Sequence, residues 1–306
     1  MKILIIGLGS IARKHINSLK KLNYNFEIFA LRSNTDSKIE NDIINIYDID
    51  EITFSIDFAI ISNPTNLHYK FIEILAKKNV PLFIEKPPLH SLLNSKKLID
   101  LIEGRNLINY VAFNLRFHPC ILYVKENILN KKLRINELNV YCGSYLPDWR
   151  PKQDFRESYS SNPKMGGGVH LDLIHEIDYI TWLFGYPEKT SSVFSNNSSL
   201  KIDSIDYANY ILEYKSFTAS IILNYYRKKV KREFEIITDK EIYTVDLVKN
   251  RVVNISGDCL YEAKSFEIND TYTLQLEYFI ICLRTNKNTM NTLKSSLRNL
   301  KLSLNE

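Results

Sequence analysis

The strand-like run Lys2–Ile6 breaks on Gly7-Leu8-Gly9-Ser10-Ile11-Ala12 and passes into a segment whose Ala12, Ile16 and Leu19 recur at helical spacing. A strand, a G-x-G-x-x-A turn and a helix in that order form a dinucleotide-binding fingerprint. Gly7 permits the tight turn, Gly9 lets backbone approach a diphosphate, and Ala12 allows the helix to pack closely on the strand. Ser10 and Ile11 open the helix, where unpaired N–H groups and the helix dipole favour an anion. Such a unit needs a parallel sheet, and the chain as far as Phe113 supplies one. Candidate strands Phe26–Leu31, Phe58–Ser62, Leu82–Ile84 and Asn109–Phe113 alternate with helical patterns at Leu67–Lys78 and Leu92–Glu103.

Beyond Pro119 the pattern changes. One helix and a strand near Ile135–Tyr141 precede a polar loop, another helix and four runs of alternating β-branched and aromatic residues. These runs are Tyr207–Tyr214, Thr218–Tyr226, Phe234–Thr238 and Tyr243–Leu247, and a last helix is expected near Thr271–Leu283. Short turns between the runs predict antiparallel pairing, because a parallel return needs a long crossover. With 306 residues the chain exceeds one core, so two domains are expected. Residues 1–119 are expected to form a doubly wound α/β Rossmann domain that binds NAD(P), and 120–306 an α+β domain on a mainly antiparallel sheet.

Composition narrows the function. At 45% hydrophobic and 25% charged the chain reads as an ordinary globular protein. Its net charge of +5 comes from 40 basic against 35 acidic residues, with Lys228-Lys229-Val230-Lys231-Arg232 the only basic cluster. That run reads as a solvated strand end and lacks the interleaved aromatics of a nucleic-acid groove. Cys120, Cys142, Cys259 and Cys282 show no CxxC pair and read as buried thiols in a reducing compartment. The run Ile3–Ile6 is too short for a leader, and no stretch has the length of a membrane span. A cytoplasmic protein without nucleic-acid or membrane partners is expected.

Three further segments carry chemistry. Leu31-Arg32-Ser33 ends the second strand, where a carboxylate would mark NAD. Arg32 with Ser33 suits the 2′-phosphate of NADP, which is preferred over NAD here, although Asp36 could reach a ribose. Ser62-Asn63-Pro64-Thr65-Asn66-Leu67-His68 and Glu85-Lys86-Pro87-Pro88 each follow a strand, at the sheet edge where such folds bind ligand. The prolines hold Lys86 at that edge. The stretch Gly166-Gly167-Gly168 leads into Asp172, His175 and Asp178, whose spacing can place them on one helix face and suits proton transfer. A metal site at His170, Asp172 and His175 is disfavoured, because His170 and Asp172 point to different sides of a helix.

Together these residues resemble the glucose-fructose oxidoreductase/inositol dehydrogenase (Gfo/Idh/MocA) family. The likeness covers nearly the whole chain and adds Asn114-Leu115-Arg116-Phe117 to the segments above. It implies hydride transfer at a sugar or polyol carbon, with Lys86 and His175 as the catalytic pair, Asp172 supporting them, and Glu85 near the nicotinamide ribose. Asn63, Pro64, Thr65, His68 and Asn114 join the cofactor set, and Arg116 joins the substrate set. It further implies that residues 120–306 bind substrate and that their open sheet serves oligomerisation, as a homodimer or homotetramer. The Asp172–His175 spacing is one residue shorter than the family's usual four.

Ser144–Pro151 looks like a branch associated with bacterial surface-sugar synthesis. The loop through Tyr145, Trp149, Arg150, Lys152, Arg156 and Tyr159 joins aromatic faces with cationic forks, which suits a nucleotide-linked or acidic sugar. The expected activity is therefore a sugar dehydrogenase or reductase. A free polyol or inositol dehydrogenase and a non-catalytic dinucleotide-binding sensor are the alternatives.

Overall fold

The computed structural model describes residues 1–34, 40 and 42–306. Asp36 lies outside them. The chain divides into two compact units, one of residues 1–114 and 268–298, the other of 115–267 and 299–306. This differs from the expected boundary at residue 119, since a late segment rejoins the first unit.

The first unit is a parallel sheet of β1 (Lys2–Ile6), β2 (Glu27–Leu31), β3 (Ile44–Ile46), β4 (Phe58–Ile61), β5 (Leu82–Ile84) and β6 (Asn109–Val111). The strand order β3-β2-β1-β4-β5-β6 is the doubly wound one, with its switch point at β1. Central strands buried on both faces must be apolar throughout, and Leu4, Ile5, Ala59 and Ile60 have no exposed surface. The helices are α1 (Ser10–Lys21), α2 (His68–Lys77) and α3 (Ser95–Gly104). α1 buries Ala12, Ile16 and Leu19, as their spacing predicts, and also His15.

The second unit opens with α4 (Pro119–Tyr123), and β7 (Ile135–Tyr145) leads to α5 (Val169–Asp172) and α6 (His175–Phe184). Then come β8 (Lys189–Ser195), β9 (Tyr207–Glu213), β10 (Thr218–Asn224), β11 (Tyr226–Thr238), β12 (Ile242–Asp246), β13 (Arg251–Val253) and β14 (Cys259–Glu262). The sheet order is β14-β13-β12-β11-β7-β10-β9-β8. One expectation fails: β10 and β11 are consecutive yet do not pair. β7 lies between them, parallel to β10 and antiparallel to β11, because Tyr225 carries the chain across it instead of turning back. Alternate residues Leu138, Val140, Tyr210, Leu212, Ile221, Phe234 and Val245 build the core with Ile177, Tyr179 and Ile180. The intervening Tyr141, Ile211, Ile222 and Ile237 are only half-buried.

The last two helices are α7 (Asp270–Arg284) and α8 (Leu293–Leu304), the second unforeseen. α7 belongs to the first unit, where Phe279 sits edge-on to Phe58 and Phe83 at 5.3 and 5.5 Å. Asn291 stitches the following turn to Val111, accepting from its N–H and donating to its carbonyl.

Cys120, Cys142 and Cys282 are buried, whereas Cys259 is exposed, on the end strand β14. Burial pushes the Cys120 and Cys142 thiols up to about 12, so they are inert packing groups. No helix among the described residues is long and apolar enough to cross a membrane.

Candidate active site

One candidate centre is the mouth of the parallel sheet in the first unit. Gly7 takes φ +81°, and a side chain there would be only 3.1 Å from Cα of Asn63, so the turn requires glycine. Gly9 caps α1, and none of the described residues comes within 4 Å of where a Cβ would stand. The first turn of α1, beginning with Ser10 and Ile11, carries no acidic residue.

A cavity of about 660 Å³ opens there, and Gly7, Gly9, Arg32, Asn63, Asp48 and Lys70 are among the residues that line it. Nη1 of Arg32 is buried without a hydrogen-bond partner among the described residues, and so are both polar atoms of the Asn63 amide. Orphaned buried donors beside a glycine turn and an acid-free helix start fit a dinucleotide, whose phosphates and amide would satisfy them. Asp48 was not anticipated; its carboxylate is tied into a local cap by the N–H of Asp50.

Behind this mouth the two strand-end segments are fastened together. His68 lies with Nδ1 3.1 Å from the Pro88 carbonyl and Nε2 3.0 Å from the Asn63 carbonyl. Burial pushes its pKa down, while the carbonyls act against that shift. The structure thus gives His68, expected at the cofactor, a bridging position, and Thr65 is buried beside it in sequence. Asn114, another expected cofactor residue, is buried and donates to Thr271 Oγ1 at 2.6 Å.

Glu85 ends β5 and is also buried. Its Oε1 meets Nε2 of His15 at 2.5 Å, and its Oε2 accepts the backbone N–H of Lys86 at 3.1 Å. Lys86 is half-buried.

A second candidate centre is built within the other unit. Gly166 and Gly168 have φ of +87° and +132°, and a Cβ on Gly167 would lie 2.2 Å from the Tyr159 carbonyl. Gly167 therefore admits backbone, since the Tyr159–Ser160 turn passes directly against it. Tyr159 also donates its hydroxyl to the Gly166 carbonyl at 2.9 Å.

Asp172 closes α5, and His175 opens α6 after a break at Leu173 and Ile174. The single helix face expected for Asp172, His175 and Asp178 is thus divided between two short helices. Asp172 and His175 are each 8% exposed. Tyr225, which the sequence reading missed, donates to Asp172 Oδ2 at 2.5 Å.

Asp178 belongs elsewhere, because its two oxygens take a fork from Arg116 at 2.7 and 2.9 Å, with Asn299 adding a third bond at 2.8 Å. Arg116, expected to touch substrate, is itself buried and committed to this pair. Arg232 was read as part of a solvated run but turns inward to the fully buried Glu176 at 2.7 Å. His170 is buried against Phe194, and desolvation lowers its pKa to about 4, so it stays neutral. No cluster among the described residues has the makings of a metal site.

The loop after β7 reaches this second centre. The Trp149 ring stands edge-on to Tyr225 at 5.4 Å and its Nε1 donates to Ser144. Arg150 is exposed, Tyr145 is half-buried, and Arg156 lies over Phe155 and beside Asp154 at 3.5 Å.

Comparison with known proteins matches residues 1–113 to the Gfo/Idh/MocA oxidoreductase family model with its NAD-binding Rossmann fold, and residues 134–244 to the Gfo/Idh/MocA C-terminal domain model. The myo-inositol 2-dehydrogenase of Thermotoga maritima is 24% identical over 73% of this chain and 68% of its own length. The NAD-dependent scyllo-inositol 2-dehydrogenase of Bacillus subtilis is 25% identical over 81% and 74%. Among solved structures, the UDP-N-acetylglucosamine 3-dehydrogenase of Acidithiobacillus ferrooxidans superposes with a TM-score of 0.80 at 18% identity, covering 100% of this chain and 96% of that one.

Proposed function

The chain belongs to the Gfo/Idh/MocA family of NAD(P)-dependent sugar and polyol oxidoreductases, and from that premise we propose that its substrate is a nucleotide-linked or acidic sugar and its preferred cofactor NADP. One observation carries the substrate reading. Trp149 touches Tyr225, whose hydroxyl holds Asp172, so the loop bearing Arg150 adjoins the acid/base helices. A guanidinium on that loop suits a phosphate or carboxylate. The cofactor reading rests on Arg32, which lines the dinucleotide cavity and whose buried Nη1 has no partner among the described residues.

When bound, the dinucleotide supplies hydride exchange with the carbinol carbon. Lys86 and His175 handle the hydroxyl proton, with Asp172 held in place by Tyr225 to support them. Arg116 serves by pairing with Asp178 and so fixing α6. The half-buried Tyr141, Ile211, Ile222 and Ile237 support a homodimer or homotetramer formed through the sheet, which sedimentation would test. The reducing state expected of its free thiols supports a cytoplasmic setting.

A second reading, a free inositol or polyol dehydrogenase, is favoured by the names of the two sequence relatives. The deciding assay follows nicotinamide absorbance with NADP and NAD against UDP-sugars, uronic acids, free hexoses and inositols. Turnover confined to the anionic sugars supports the first reading; preference for inositol replaces it with the second.

A further inference from the structure

His15 lies in the second turn of α1 with no exposed surface, yet it is an imidazole in a position where an apolar side chain would pack. It sits edge-on to Phe83 of β5 at 5.1 Å and to Tyr272 of α7 at 5.7 Å. Nε2 is hydrogen-bonded to Glu85 Oε1 at 2.5 Å, and Nδ1 is buried without a partner among the described residues. A carboxylate only accepts, so Nε2 carries the proton.

The consequence reaches Lys86. Both oxygens of Glu85 are spoken for, one by His15 and the other by the N–H of Lys86. A carboxylate gripped at both ends cannot rotate, and it fixes the peptide from which the Lys86 side chain projects. The same helix begins at the glycine turn, so one rigid element joins the dinucleotide cavity to the backbone of Lys86. His68, at the start of α2, also interacts electrostatically with Glu85; its two ring nitrogens face the Pro88 and Asn63 carbonyls, which leaves the grip on Oε1 to His15.

We propose that His15 is a positioning residue for Lys86, acting through the Glu85 carboxylate. The proposal rests on the reading of Lys86 as a group at the reaction centre. A merely structural imidazole would be replaceable by any side chain that fills the space, whereas a positioning donor must reach Glu85. Gln and Asn separate the two, because the Gln amide nitrogen extends to the place of Nε2 and that of Asn stops short.

The experiment compares wild type, His15→Gln and His15→Asn for steady-state kinetics on the best sugar, for dinucleotide binding, and for modification of Lys86 by an amine-reactive reagent read by mass spectrometry. For His15→Asn, kcat is expected to fall about tenfold to a hundredfold, the scale of a misplaced reacting group, with KM and dinucleotide affinity nearly unchanged. His15→Gln should recover most of that loss, and the Lys86 modification rate should change in the Asn variant but not in the Gln variant. Equal kcat and equal Lys86 modification in the two variants would overturn the proposal, whatever their thermal stabilities. If the wild type turns over no sugar, the functional reading fails. The Lys86 modification rates then still decide His15 by the same criterion.

Discussion

Tyr225 donates its hydroxyl to Asp172 at 2.5 Å from a ring with no exposed surface. Burial, reinforced by the neighbouring carboxylate, raises the phenol well above its ordinary range, so the proton stays on Tyr225 and the carboxylate has a permanent donor. Tyr225→Phe removes a hydrogen bond to a charged group, worth about 1.5–3 kcal/mol. The expected result is a drop of about tenfold in kcat with the dinucleotide affinity intact. Titrating dinucleotide by fluorescence beside a steady-state assay checks both, and an unchanged kcat would remove Tyr225 from the reaction centre.

Lys86→Ala should leave folding and dinucleotide binding in place while turnover falls by about a hundredfold or more, as for loss of a positioned acid/base group. Near wild-type turnover would refute the role given to Lys86.

Arg32 meets the cavity with a buried Nη1 that has no partner among the described residues, and the sequence Leu31-Arg32-Ser33 that ends β2 carries no carboxylate. Arg32→Asp should move the ratio of kcat/KM for NADP over NAD towards NAD, by removing a cation and adding repulsion against the 2′-phosphate. The ratio itself is the measurement; its constancy would assign the 2′-position to another group.

His118 and His170 are both buried, and desolvation brings each down to about 4 from an ordinary 6.5. Because the folded values lie below the unfolded ones, these groups contribute stability that is complete above pH 6.5 and lost as pH falls towards 4. Each adds a slope of about 1.4 kcal/mol per pH unit inside that window. Urea unfolding at pH 7 and at pH 5 should show the loss. His118→Asn keeps an oxygen to cap α4, in place of the Nδ1 that accepts from Cys120, and should flatten the pH dependence. An equally steep dependence in the variant would shift the cause to other residues.

Local pattern made the first unit legible. Gly7, Gly9 and Ala12 announce the turn, and the burial of Ala12, Ile16 and Leu19 follows from their spacing. What stayed hidden depends on residues distant in sequence. His15 and Glu85 are 70 residues apart, and Asp172 and Tyr225 are 53 apart. No periodicity says that Phe279 will pack on Phe83 and so return α7 to the first unit. The insertion of β7 between β10 and β11 escaped notice for the same reason, since short connections imply pairing only when no third strand intervenes. Charge misled at Arg232, where the strand's alternation turns one member of a basic run inward to Glu176.

Arg150 gives the substrate reading its test. It is exposed, next in sequence to Trp149, whose ring contacts Tyr225 and through it Asp172. A contact with a phosphate or carboxylate remote from the reacting carbon is made equally in the bound substrate and in the transition state. Losing it therefore weakens binding without slowing the chemical step. Arg150→Ala should raise KM for a nucleotide-linked or acidic sugar several-fold, with kcat falling by much less. Exposure and solvent screening limit the effect, so added salt should raise the wild-type KM and have less influence on the variant. Efficient oxidation of a neutral hexose or inositol by the wild type, unaffected by Arg150→Ala, would transfer the assignment to the polyol dehydrogenase reading.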